Sequence, residues 1–460
     1  MLSFVIILVS LGEFALGQSR DELCTKCSCD GGTLNCSSRG LNNHFAEENW
    51  KGANFTVANF DRNSILHLTR FPPARIVKLV LSHNGMTIID DAAFRFLKDL
   101  EELDLSHNHL TTEVLKPNVF QGVYSTEAYE PLMKLRKLLL NENALHSLHR
   151  DFFEHLPAIE ELNLSGNPFM VIDNPTITAI SSISYLKYLD MSSTMLSDIP
   201  ATMMHTPKYL QTLNISYNNF FHVPTALGEA HVLSTLIMDV NPIKEINKVP
   251  FIPSLKVLHI NYMPLLTRID KGGLSNFTHL EELSCSFNKH LKFIDENAFT
   301  VSTGATKIWP PMRKIYLNNN NLQYLEQYLI LHTEKIKSWS LHTNPWVCDC
   351  QNQWMVNSLL PQINKTNPNE ATRLFCSSPS EMVGMRFLDL HSSKTNMRCL
   401  DAYGNHPEKD SLVLVVIILM VMISIPLMVF SITSYLQKTR RNIQFSRFLY
   451  RRTESLESLP

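Results

Sequence analysis

The stretch Glu101–Leu110 reads EELDLSHNHL. Successive side chains of an extended strand point to opposite faces, so Leu103 and Leu105 share one face and Asp104 takes the other. Asn108 lies among these leucines, where an unpaired amide costs ~1–3 kcal/mol. It therefore has bonding to do. Extended back to Leu100, the stretch becomes L-x-x-L-x-L-x-x-N-x-L, and this register recurs twelve times between Phe55 and Ile336.

Clear copies are LRKLLLNENAL (135–145), IEELNLSGNPF (159–169), LQTLNISYNNF (210–220) and MRKIYLNNNNL (312–322). Most copies begin 21 to 27 residues apart, a period at which one supersecondary unit stacks on the next. The chain is similar to leucine-rich-repeat proteins over nearly the whole segment between its two hydrophobic ends. That resemblance implies an α/β-type solenoid, a horseshoe with a parallel β-sheet on its concave side. Inward leucines fill its core, and outward strand residues line the inner wall. Asparagine both donates and accepts, so a column of Asn84, Asn108, Asn143, Asn167, Asn218, Asn241, Asn288, Asn320 and Asn344 serves adjacent turns. Thr194 and Met263 interrupt it. Threonine supplies part of the bonding and methionine none, so an irregular coil is expected near 263. Two coils carry insertions, expected to leave the solenoid as loops around 117–131 and 301–311.

The chain has 460 residues, 44% of them hydrophobic, and a net charge of −2. These values exclude a strongly basic nucleic-acid binder and an acidic disordered tail. Residues 1–17 hold an apolar core too short to span a bilayer and close on Ala15-x-Gly17, as a signal peptide does. Leu412–Leu436 contains no charge. At 1.5 Å per residue it spans roughly 37 Å, enough for a hydrocarbon core of ~30 Å. Lys438, Arg440, Arg441, Arg447, Arg451 and Arg452 follow it, which places that side in the cytoplasm and the N-terminus outside. The short segment 437–460 is expected to be a solvated tail, too small for the signalling domain of a Toll-type receptor. Thr453, Ser455 and Ser458 are phosphorylation candidates in it.

In an oxidising compartment, clustered cysteines read as disulfides. Cys24, Cys27, Cys29 and Cys36 stand before the repeats, and Cys348, Cys350, Cys376 and Cys399 after them. Spacing leaves three connectivities for each quartet. Both clusters resemble the caps of extracellular leucine-rich-repeat proteins, and the resemblance implies bonds 24–29, 27–36, 348–376 and 350–399. Cys285 occupies a leucine position and is expected to be a buried, inert thiol. The segments are a signal peptide (1–17), an N-terminal cap (18–54), repeats (55–345), a C-terminal cap (346–400), a stalk (401–411), a membrane span (412–436) and the tail.

Function is expected on the inner wall. In the first half, outward charges alternate by repeat: Glu101, Glu102 and Asp104, then Arg136 and Lys137, then Glu160 and Glu161. They read as a ladder of surface ion pairs or as a charged footprint for a ligand. Farther along, Tyr217, Val240, Tyr262 and Phe287 form one column, with His259 and Tyr316 nearby. Aromatic-rich surfaces are what protein interfaces favour; aromatic packing that stiffens the sheet is the plainer reading. His83, His107 and Glu142 share that column earlier in the chain, where chance alignment competes with a pH-sensing or zinc role. Asn35, Asn54, Asn163, Asn214, Asn276 and Asn364 are glycosylation sequons. No catalytic, cofactor or metal motif stands out. The expected function is that of a type I plasma-membrane recognition protein binding an extracellular or cell-surface protein, in adhesion or as a co-receptor. Homo-oligomers are compatible with it. Lateral regulation of a signalling receptor and trafficking in the secretory pathway are the alternatives.

Overall fold

The computed structural model describes residues 22–400, apart from 126, 206–207, 304–305 and 330–332, together with 407–454. The signal segment, residues 401–406 of the stalk, Ser455 and Ser458 lie outside the described residues.

Fourteen three-residue strands make one continuous sheet. Ser28–Asp30 pairs antiparallel with Thr33–Asn35 to open it. From there every neighbour is parallel and in matching register, so Leu79, Leu103, Leu138 and Leu162 stack directly. All four are buried. Burying their side chains stabilises each coil by about 1.5–3 kcal/mol per leucine. The last strand, Ser338–Ser340, fills the same core position with Trp339.

The strands stay short because the chain turns sharply after each one. The residue before each ladder position has a positive φ, from 51° at His83 to 61° at Phe287, with Gly166 at 66°. The ladder asparagine then closes the turn. Asn108 donates its amide to the carbonyls of Leu105 (3.0 Å) and Ser106 (3.1 Å) and to Leu81 (3.1 Å) of the preceding coil. Its Oδ1 accepts from the backbone N–H groups of Asn84 and Met86, both at 3.0 Å. Asn63 belongs to the same ladder, although the column read from sequence begins at Asn84: it bonds Cys36, Phe60, Arg39 and Leu41 in the same way.

The breaks in the ladder have local consequences. Thr194 donates to Met191 at 2.7 Å within its own coil, and the Phe169 N–H of the preceding coil turns to the Asn167 carbonyl at 2.9 Å. At Met263 the buried leucine arrives one residue late: Leu266 is enclosed while Leu265 is 46% exposed. Leu291 repeats this shift after Asn288. The coil near 263 is irregular, yet its strand register is unbroken.

On the return side, Phe94, Phe120 and Phe152 pack ring to ring at 5.9 and 5.4 Å. The two insertions expected to leave the solenoid as loops form antiparallel hairpins, Tyr124–Ser125 with Ala128–Tyr129 and Val301–Thr303 with Thr306–Ile308. The first departs only after Phe120, because Pro117–Phe120 is a 3-10 turn whose Val119 and Phe120 are core residues. Gly122 lets that hairpin close, since a Cβ there would lie 2.2 Å from the Glu130 carbonyl oxygen.

Disulfides join Cys24 to Cys29, Cys27 to Cys36, Cys348 to Cys376 and Cys350 to Cys399. Glu370 of the C-terminal cap is buried and accepts from the N–H groups of Leu341 (2.6 Å) and His342 (2.9 Å), closing the end of the sheet. Cys285 is fully buried, and burial pushes its thiol up to about 12. Pro407–Glu454 is one helix of 48 residues that continues through Pro426. Its part 412–447 is long and apolar enough to cross a membrane and is exposed among the described residues. The helix extends well past 436, so most of the segment expected to be a solvated tail is helical, Thr453 included.

Candidate functional site

Two sets of side chains face outward along the inner wall. The first is the strand residues. Their alternating charges meet across neighbouring strands: Lys78–Glu102 at 3.0 Å, Lys137–Glu161 at 3.1 Å, Arg136–Glu160 at 3.5 Å, Lys187–Glu160 at 2.7 Å and Lys314–Glu282 at 2.9 Å. All are solvated to some degree, so each contributes ~0–1 kcal/mol. Lys187 lowers the Glu160 carboxyl pKa through its hydrogen bond, and Glu282 raises that of Lys314.

The second set is the turn column. Tyr217, Val240, Tyr262 and Phe287 occupy the left-handed position after the strand rather than the strand itself. A left-handed residue other than glycine costs roughly 1–2 kcal/mol, and a β-branched one such as Val240 is a clear outlier. Coil closure imposes the conformation at every repeat, and here it lifts large apolar groups into solvent. Tyr217 is 62% exposed, Tyr262 52% and Phe287 38%. Tyr262 and Phe287 stack with ring centroids 4.6 Å apart and planes within 8°. His259 and Tyr316 sit on the adjoining strands, both partly buried, with His259 Nε2 4.0 Å from Glu282.

The same column gives a different arrangement in the N-terminal half. His83 and His107 stack at 4.1 Å, and Nδ1 of His83 lies 3.0 Å from Asp61. Glu142 does not join them. Its carboxylate lies across Gly166 of the following coil, where a Cβ would be 2.4 Å from Oε1. Among the described residues no group of three or more His, Cys, Asp or Glu is placed to hold a metal.

The sequons differ in setting. Asn35, Asn54 and Asn364 are exposed. Asn163 and Asn214 lie on inner-wall strands, and the Asn214 amide donates to Asp190 at 2.9 Å. Asn276 donates to the Val249 carbonyl at 2.7 Å.

Asp239 was not singled out from sequence. Adjacent to Val240, it is a half-buried carboxyl whose pKa burial raises against the opposing bonds from Asn261. A carboxylate directly beside an exposed apolar column was the available signal.

With this geometry in view, the fold is a solenoid of the leucine-rich-repeat kind. The model of the family described as Leucine rich repeat matches residues 74–128, 123–169 and 133–187. Toll-like receptor 2 of Bos taurus is 25% identical over 242 residues, which make up 52% of this chain and 28% of that protein. Lumican of Gallus gallus is 26% identical over 248 residues, 53% of this chain and 67% of that one. The chain thus spans little over a quarter of the receptor's length. Among solved structures, the leucine-rich repeat domain of APL1B is 21% identical with a TM-score of 0.42, covering 60% of this chain and 80% of that one. A chain in the octameric complex of Latrophilin 3, Unc5D and FLRT2 is 21% identical with a TM-score of 0.38, covering 78% and 95%.

Proposed function

We propose that this is a single-pass, type I cell-surface recognition protein that binds an extracellular protein partner through its solenoid, as an adhesion molecule or co-receptor. The observation that carries the reading is the turn column of Tyr217, Val240, Tyr262 and Phe287. Four consecutive coils place apolar side chains at left-handed positions, leaving Tyr217, Tyr262 and Phe287 exposed and Val240 partly so. Strained backbone cannot itself recommend a tyrosine over an asparagine, and solvent exposure removes the packing motive. A partner that covers these rings supplies the missing burial. Rigid aromatic anchors on a pre-formed wall lose little side-chain entropy on binding.

The apolar helix provides the membrane anchor in this reading, and basic residues after it put the repeats outside. Cells displaying the full chain are screened against a library of soluble cell-surface ectodomains. For any ligand found, the combined change Tyr217→Ala, Tyr262→Ala and Phe287→Ala weakens binding at least about 30-fold, the effect of losing a central aromatic anchor. Full affinity in a folded triple variant removes the column from the binding surface.

A further inference from the structure

The inner wall changes character at its centre. Toward both ends, strand lysines and glutamates neutralise one another in the pairs described above. Between them, Tyr188–Asp190, Thr212–Asn214, Thr235–Ile237 and Val257–His259 contain no lysine or arginine. Lys187 and Lys256, which precede the first and last of these strands, are paired with Glu160 and Glu281 and leave the carboxylates between them without a salt bridge. Asp190 is buried and saturated: its Oδ1 accepts from Ser192 N (2.9 Å) and Oγ (2.7 Å), and its Oδ2 from Tyr188 Oη (3.0 Å) and Asn214 Nδ2 (2.9 Å).

Asp239 differs. Its Oδ1 accepts from Asn261 N at 2.6 Å and Asn261 Nδ2 at 3.0 Å, while Oδ2 takes no hydrogen bond or ion pair among the described residues. Its backbone carbonyl accepts the Tyr217 N–H at 2.8 Å, and its side chain binds the residue preceding Tyr262. The open carboxylate oxygen therefore lies between the coils that carry Tyr217 and Tyr262, one residue before Val240. The Tyr262–Phe287 stack continues the row. His259 on the neighbouring strand acts on it electrostatically, beside the Asn261 bonds.

We propose that Asp239 and the flanking rings form a subsite for an arginine side chain of the protein partner. This rests on the aromatic column being the binding surface. A guanidinium is planar, stacks on aromatic faces and donates to a carboxylate in the same pose. A half-desolvated carboxylate next to aromatic rings suits that group better than a strongly hydrated ammonium, which ranks second. An acidic partner is disfavoured, because its charge would be buried against Asp239 with no basic strand residue to meet it.

The test uses the full chain in phosphatidylcholine nanodiscs at 150 mM salt, with three fluorescein-labelled dodecapeptides alternating tyrosine with arginine, glutamine or glutamate. The arginine peptide is expected to bind at least tenfold more tightly than the glutamine peptide. Asp239→Asn, which keeps an oxygen for Asn261, is expected to abolish that advantage and leave glutamine-peptide affinity and a cooperatively folded solenoid in place. Equal arginine-peptide affinity in wild type and Asp239→Asn overturns the subsite. So does preferential binding of the glutamate peptide, or no binding of any peptide. The triple alanine variant separates the two readings. If it loses all peptides while Asp239→Asn changes nothing, the aromatic surface stands and the arginine subsite falls.

Discussion

A single asparagine shows how much one side chain carries in this molecule. Asn108 bonds three carbonyls and two N–H groups across two coils, and every one of them is shut away from water. Asn108→Ala strands several of these at once and is expected to lower unfolding stability by about 3 kcal/mol or more, read from the urea midpoint of the capped repeat segment. Asn63, half open to solvent at the first coil, is expected to cost less. Asp239 makes the opposite case. Burial raises its pKa above the ordinary carboxylate value, so the folded state holds the proton more tightly. Whatever stability it contributes is therefore present below the unfolded pKa and lost as pH rises through the folded one. Relative to Asp239→Asn, the wild type is expected to melt at a falling temperature as pH climbs from about 4 to 7. A pH-independent difference between their melting points would show that this carboxyl is not destabilised by its site.

Among elements, the two ends of the solenoid are open to acid. A buried histidine stands at each, His44 in the N-terminal cap and His342 in the last coil, against the C-terminal cap. Burial lowers the pKa of both. His44 has backbone bonds that oppose the shift; His342 has Glu370 opposing it and Arg373 assisting it. A depressed histidine contributes stability above its unfolded value near 6.5 that is lost as pH falls through its folded value. Melting temperature is expected to drop between pH 7 and 5, with a smaller drop in His342→Gln. The elements also show what was legible beforehand. The coil pattern was plain because buried leucines and a bonded amide recur at fixed spacing. The late leucine at 266 was harder, since LL at 265–266 offers two residues and only packing selects one. The insertions carried too few alternating residues to read as hairpins. The inner wall's aromatic residues were visible, but their left-handed turn was not, because φ leaves no mark on a tyrosine. Asp239 was missed because its importance lies in what surrounds it.

At the scale of the whole molecule, a rigid wall and a long apolar helix belong to one chain. The helix from Pro407 to Glu454 would extend roughly 72 Å at 1.5 Å per residue, beyond what a bilayer core requires. The chain is expected to sediment with membranes after alkaline carbonate and to dissolve in detergent. Replacing Val416, Leu419 and Ile423 with lysines should release it to the supernatant. Retention of that triple-lysine variant would mean that some other segment holds the membrane.

The coil closes identically over histidine, glutamate, serine, valine and phenylalanine at its left-handed corner. The turn thus keeps its shape whatever hangs there. Exchanging one unbranched corner residue for another should retarget the molecule while its melting curve barely moves, so a new specificity can arise by a few point changes, with no need to rebuild the frame that displays them.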